Sequence, residues 1–394
     1  MMKQLYDVIV VGAGSMGMSA GYELARRGMR TLLIDAFDPP HDKGSHHGEP
    51  RLIRHAYSGG PTYVKLALRA DERWRELEQS TGEKLLERSG VLNVADPDIY
   101  KFDVRFDDAE EHGIRIESLD ADEIRHRWPG IRVPDHYRAM YEPDAGYLYS
   151  EKCVSAYRRL AAEAGARILT NTPVTAIQAG TSFVTVSTKD VTYTASHVVL
   201  SAGAWFRSFA SLIDAPIRAV RKVVGWFEPN GSAATGAYDA GTFPGFTFGD
   251  ASGGYYGFPS IGGAGVKIGR HDGGRPWEPG EPFAPFGAYP EDETDLRLAL
   301  EKFLPGAAGK LLRGVACKYE LTPDDNFIID THPEHPNIVL AGGFSGHGFK
   351  FSSAIGELIA DRIEFGRWGR DISIFSLDRF AEQGRLQAEA RTRT

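Results

Sequence analysis

Three histidines and two arginines crowd into residues 44–57, GSHHGEPRLIRHAY, within a chain that is acidic overall. Arginine grips carboxylates through a two-pronged fork, so Arg51 and Arg54 read as part of an anion site; the alternative is a solvated basic loop. Adjacent histidines such as His46 and His47 seldom aim at one ion, so no metal centre is expected there. A second group is VKIGRH at 266–271. On a strand, Lys267, Gly269 and His271 share one face, and a glycine beside a lysine leaves room for something flat. The third is GVACKY at 314–319, where Arg313 and Lys318 flank Cys317 in sequence and would favour its thiolate. Cys153, in helical register with Tyr157, Leu160 and Ala164, reads instead as a small core residue. The fourth is GFSGHGFK at 343–350, whose glycines suit close backbone approach to a cofactor just before Lys350.

These residues need elements to carry them. Residues 6–11, YDVIVV, form an apolar run typical of a buried parallel strand. The run leads straight into Gly12-Ala13-Gly14-Ser15-Met16-Gly17, a G-x-G-x-x-G turn, and then into a helix with Met16, Ala20 and Leu24 on one face and Gly28 at its end. A second strand, 31–34, ends at Asp35, 18 residues past Gly17. That order is the dinucleotide fingerprint: Gly12 for the tight turn, Gly14 for approach of pyrophosphate, Gly17 for helix–strand packing, and Asp35 for a ribose hydroxyl. The helix start offers free N–H groups and a positive dipole end to the phosphates.

Further pieces of the same sheet are expected far along the chain: 166–169 after a helix over 152–164, then 197–200, then 337–340 before a helix bearing Ile355, Leu358, Ile359 and Ile363. A single copy of the fingerprint in a domain assembled from separated segments favours FAD over NAD. Stretches near 218–228, 253–260 and 264–271 read as strands of another, mostly antiparallel sheet. The expected fold is therefore α/β (α+β overall): a Rossmann-like FAD-binding domain from residues 1–86, 151–220 and 320–394, and a substrate domain with a mainly antiparallel β-sheet from 87–150 and 221–319.

Composition excludes several roles. A formal net charge of −8 argues against nucleic acid as a partner. Two cysteines are too few for a disulfide framework, and no apolar run reaches the roughly 18 residues of a membrane span. Residues 1–14 read as a buried strand and turn rather than a signal peptide, the ending RTRT carries no targeting signal, and the polar tail after about Asp378 is expected to be partly mobile. A cytoplasmic protein is expected.

Taken together, YDVIVVGAGSMG, DAFDPPHDKGSHHGEPRLIRHAY, RWPGIRVPDHY, YYGFPS, GVACKY, DDNFIID and GGFSGHGFKFSS resemble, nearly end to end, the family of monomeric sarcosine oxidase and N-methyl-L-tryptophan oxidase. The resemblance implies a monomer that oxidises a small secondary amino acid with O2, giving glycine, formaldehyde and hydrogen peroxide from sarcosine. It implies FAD attached through its 8α-methyl to the sulfur of Cys317, with Gly346, His347 and Gly348 beside the cofactor. Arg54 and Lys350 would hold the substrate carboxylate. Lys267 would lie near flavin N5, where a cation stabilises superoxide. Tyr256, His271 and Tyr319 would line the substrate cavity, and His47 and Arg51 would assist flavin attachment or tune its potential. The chain departs from the family at Glu49-Pro50, at Ser58-Gly59-Gly60-Pro61 in place of a loop with a glutamate, and at Thr247, where sarcosine oxidases tend to carry methionine and the tryptophan-specific enzymes threonine. Substrates such as N-methyl-L-tryptophan, L-pipecolate and L-proline stay open, as do a carrier-linked flavin dehydrogenase and a non-catalytic flavin-binding protein.

Overall fold

A computed structural model describes residues 5–230 and 236–381; the ending RTRT and most of the tail beyond Asp378 lie outside them. The strand Leu5–Val11 pairs in parallel with Thr31–Ile34 on one side and Thr192–Leu200 on the other. Arg167–Leu169 and Ile338–Gly342 extend the parallel sheet at its two sides. Such strands are buried on both faces, which is why they read as unbroken apolar runs.

On one face lie the helices Ser15–Arg26, Ser150–Glu163 and Ser352–Phe365, with Met18, Leu24, Cys153, Tyr157, Ile355 and Leu358 in a shared core. Cys153 is thus the core residue expected. The other face is covered by Ile177, Val184, Val186 and Phe206. The glycine turn behaves as the motif requires. Gly12 sits at φ +89°, and a Cβ there would lie 2.5 Å from Ser201 O; a Cβ on Gly17 would lie 1.9 Å from Gly12 O.

A second, nine-stranded sheet is mainly antiparallel, its one parallel pair joining Gly245–Asp250 to Val91–Ala95. Leu311–Leu321 runs along the whole of Arg218–Phe227, so the expected cuts at 220/221 and 319/320 fall inside strands that belong wholly to this sheet. Side-chain alternation then sorts its two faces. Val266, Ile268, Phe246 and Phe248 join Leu296, Leu300 and Phe303 of the helix Glu291–Phe303 in one apolar core. Lys267, Gly269 and Tyr256 fall on the opposite face, towards the first sheet. The flat object against Gly269 is the Tyr256 ring, 2.9 Å from where a Cβ would stand. Arg51–Ile53, Gly146–Leu148 and Leu86–Glu87 form a small sheet of their own. No helix among the described residues is long and apolar enough to cross a membrane.

Candidate active site

A cavity of about 860 Å³ runs from the glycine turn to the exposed face of the second sheet. Gly12, Gly14, Ser15, Met16 and Asp35 line one end, and Arg54, Tyr57, Tyr256, His271, Tyr319 and Lys350 the other. At the first end, the helix Ser15–Arg26 begins on Gly14 with no side-chain cap and no acidic residue in its first turn. Its free N–H groups and positive dipole end therefore face a place that suits a diphosphate. Asp35 is drawn against the turn: one carboxylate oxygen accepts from Ala13 N at 2.7 Å and the other from Phe37 N at 2.9 Å. Glu320 also lines the cavity, with Oε2 buried and lacking a partner among the described residues. Burial pushes its pKa up to about 8, so it is protonated at neutral pH and able to donate to a polar ligand.

The loop 44–50 is stapled by Arg51. Its guanidinium donates to the carbonyls of Ser45 at 2.9 Å, His47 at 2.5 Å, Gly48 at 2.7 Å and Pro50 at 3.0 Å. Arg51 lines the cavity, but those bonds make it a loop anchor rather than a free anion fork. His47 turns away to Glu151, with Nδ1 3.7 Å from the carboxylate, and does not line the cavity. His46 does line it, and burial followed by the charge of His41 pushes its pKa down to about 3.

At the far end two basic side chains approach one ring. Arg54 Cζ lies 5.4 Å and Lys350 Nζ 5.2 Å from the Tyr57 centroid. Arg54 donates to Asn93 Oδ1 at 2.6 Å, and Thr247 Oγ1 donates to the same oxygen at 3.0 Å. Lys350 donates to His347 O at 2.7 Å; His347 bridges Tyr57 OH at 2.7 Å and the Asp325 carbonyl at 3.0 Å. Burial, then Arg54, holds the Lys350 pKa well below its ordinary value. His271 is pushed down to about 4 by burial and then by Lys222, Arg54 and Lys350, so it is neutral at physiological pH. Tyr319 OH donates to Tyr256 OH at 3.2 Å. Gly346 seats the Tyr319 ring, since a Cβ there would come within 2.2 Å of it. A Cβ on Gly348 would strike the Phe344 side chain at 2.5 Å.

Lys267 and Cys317 are not among the residues that line this cavity. Lys267 is 1% exposed and donates to Gly48 O at 2.6 Å and Pro50 O at 3.1 Å. Burial, then Arg51, lowers its pKa well below the usual lysine value. At Cys317 burial works against the thiolate that neighbouring cations would favour. Burial raises its pKa and outweighs the opposing charges of Arg51, Lys267, Lys222 and Lys318. Sequence neighbours mislead here because alternation turns Lys318 to the other face, while Arg313, on the same face, stands two same-face pairs farther along, opposite Trp226. Lys318 points away to the rings of Phe283 and Trp277, and Arg313 lies over Trp226. The cation directly across the strand pair is Lys222, which donates to the carbonyls of His271 at 3.1 Å and Gly273 at 3.2 Å and so fixes the turn that carries His271.

Beneath Arg54, buried His55 is held between two acids, Nδ1 2.5 Å from Glu142 and Nε2 3.2 Å from Asp71. Burial alone would lower its pKa, but the bonds to Asp71 and Glu142 win and raise it to about 9. A pKa raised on folding stabilises fully below the unfolded value and is lost as pH rises through the folded one. His55→Leu, which leaves buried Glu142 without its cation while Asp71 keeps Arg75 and Arg88, is expected to cost about 3 kcal/mol. Melting curves at pH 6 and pH 9.5 check this: the wild type should lose stability across that interval, and the variant should be low at both.

Asn93 and Arg105 escaped the sequence reading. Asn93 is the lone polar residue in the buried strand Val91–Ala95, and that interruption was its signal. Arg105 sits on the helix Asp103–Glu111 among acids, a pattern that reads as a solvated surface.

The FAD dependent oxidoreductase family matches residues 7–362. A monomeric sarcosine oxidase of Bacillus sp. (strain B-0618) is 49% identical over 385 residues, covering 97% of this chain and 98% of that protein. An N-methyl-L-tryptophan oxidase of Yersinia pestis (strain Pestoides F) is 44% identical over 377 residues, covering 95% and 99%. Among solved structures, L-proline dehydrogenase from P. horikoshii superposes with TM-score 0.84 at 21% identity over 97% of this chain and 99% of that one. The open form of NikD, an amino acid oxidase, does so with TM-score 0.83 at 23% identity over 95% and 97%. With the glycine turn, the two-sheet architecture and the cation-lined cavity, these likenesses place the chain in the FAD-dependent oxidoreductase family, in the group of flavin amine oxidases that holds the monomeric sarcosine oxidases and N-methyl-L-tryptophan oxidases.

Proposed function

We propose that the protein, acting as a monomer, oxidises a small secondary amino acid such as sarcosine with O2. The observation that supports this reading is the pair Arg54 and Lys350, both within 5.4 Å of the Tyr57 ring centroid and both lining the cavity that the glycine turn also lines. Gly12, Gly14, Ser15, Met16 and Gly17 would hold the diphosphate of FAD, Asp35 a ribose hydroxyl, and the backbone around Gly346, His347 and Gly348 the ring system. FAD, when bound, supplies the acceptor for two electrons.

The chain's own groups do the rest. Arg54 and Lys350 hold the carboxylate, and the guanidinium charge of Arg54 disfavours a protonated amine beside it. The neutral nitrogen then supports loss of hydride from the neighbouring carbon. His271 is neutral and adds no competing charge. Tyr256 and Tyr319 would wall the substrate, and Arg51, bonded to the carbonyls of Ser45, His47, Gly48 and Pro50, would hold the loop 44–50 in place beside the cofactor. Water hydrolyses the resulting imine, so sarcosine, O2 and H2O give glycine, formaldehyde and hydrogen peroxide.

A peroxide-coupled assay on the flavin-loaded protein across sarcosine, N-methyl-L-tryptophan, L-pipecolate and L-proline tests the reading; absence of peroxide with all four ends it. Attachment at Cys317 is a separate expectation. Acid-precipitated wild type should stay yellow, whereas Cys317→Ala should release its colour to the supernatant. Colour retained in the pellet of that variant would exclude Cys317 as the attachment point.

A further inference from the structure

Arg105 is a third cation at the substrate end of the cavity, lining it together with Arg54, Tyr57 and Phe102. Its Nε is buried without a hydrogen-bond partner, and among the described residues no carboxylate lies within ion-pair distance of its guanidinium. The acid that acts on it from within the fold, Glu142, is already committed to His55 and to the amides of residues 55 and 56. Arg105 is half-buried with its Nε shut off from solvent, and a buried polar nitrogen without a partner is one that an entering anion would satisfy. Ser58 and Thr247 on the same lining are uncharged and supply no acid to it.

Charge counting sharpens the point. Arg54, Lys350 and Arg105 are three basic groups on this lining, whereas one α-carboxylate brings a single negative charge. We propose that the preferred substrate is a secondary amino acid with an acidic side chain, of the N-methyl-L-aspartate or N-methyl-L-glutamate type, whose second carboxylate is received by Arg105. The inference rests on the reading of this cavity as an amine-oxidising site. Burial and then the charge of Arg54 press the Arg105 pKa down to about 10, and an entering carboxylate would relieve both. The exposed Lys101, also on the lining, makes the mouth attractive to a dianion.

The test compares N-methyl-L-glutamate with its isosteric amide, N-methyl-L-glutamine, in flavin-loaded wild type, Arg105→Met and Arg105→Lys, with sarcosine assayed alongside. Wild type should favour the acid in kcat/KM by about tenfold or more, Arg105→Met should bring the two within about twofold, and Arg105→Lys should fall between. If wild type oxidises sarcosine but treats acid and amide alike, the inference fails while the oxidase reading stands. A preference that survives in Arg105→Met also overturns it. If none of these amines is oxidised, binding of glutarate and glutaramate, followed through the flavin absorbance, decides. Glutarate bound at least about tenfold more tightly by wild type alone upholds the second-carboxylate site without the oxidase reading. Equal binding of the two overturns it.

Discussion

Lys267→Met is expected to slow reoxidation of the reduced flavin by O2 by about 100- to 1,000-fold, the usual effect of removing one preorganised charge from a developing anion. The structure favours an effect of that size. Lys267 is buried and fixed by the carbonyls of Gly48 and Pro50, so its charge needs little reorganisation when an anion forms. The fold should survive the change, because Arg51 still donates to both of those carbonyls. Affinity for a carboxylate inhibitor should move by no more than about twofold, since the anion grip belongs to Arg54 and Lys350. Stopped-flow reoxidation and inhibitor titration separate the two, and equal losses in both would remove the role. The sign with pH follows from burial. The pKa of Lys267 is lowered, so the wild-type reoxidation rate should fall as pH rises through a midpoint below the ordinary lysine value, and the variant should lose that dependence.

Arg54→Met should lower kcat/KM for a carboxylate substrate by about 100-fold or more, as truncating one member of a buried charged contact costs roughly 2–5 kcal/mol. Most of the loss should appear in KM and in the Kd of a non-reacting carboxylate. Nothing buried is stranded, because Asn93 Oδ1 keeps Thr247 as a donor. Melting temperature should therefore stay near wild type. A coupled signature is available: Arg54 helps hold down the pKa values of Lys350 and His271, so both should rise in the variant, and NMR titration of His271 would detect it. An unchanged KM would show that the carboxylate sits elsewhere.

Much of this was legible from the sequence because local patterns governed it. The turn Gly12 to Gly17 is set by steric rules that act over six residues, and Asp35 follows from the length of one helix. The alternation of Val266, Lys267, Ile268 and Gly269 likewise sorted core from cavity. What failed depended on which strand lies opposite. Cys317 was read against its sequence neighbours, yet its cross-strand neighbour is Lys222, almost a hundred positions earlier. Arg51 looked like a free fork until the loop folded its carbonyls around the guanidinium. Arg105 could not be separated from a surface arginine without knowing that it lines the same cavity as Arg54 and Tyr57.

The parallel sheet also sets a timetable for synthesis. Its founding strand, Leu5–Val11, waits for Thr192–Leu200, which in turn waits for Ile338–Gly342. At about 5–20 residues per second, roughly 15–65 s separate emergence of the first and last of these. The glycine turn is thus made early, but the wall at Phe344, Gly346 and Lys350 arrives only when the chain is nearly complete. Cofactor loading is therefore an event of the finished polypeptide, and ribosome-stalled chains ending before residue 338 should retain no flavin at all rather than a proportionate share.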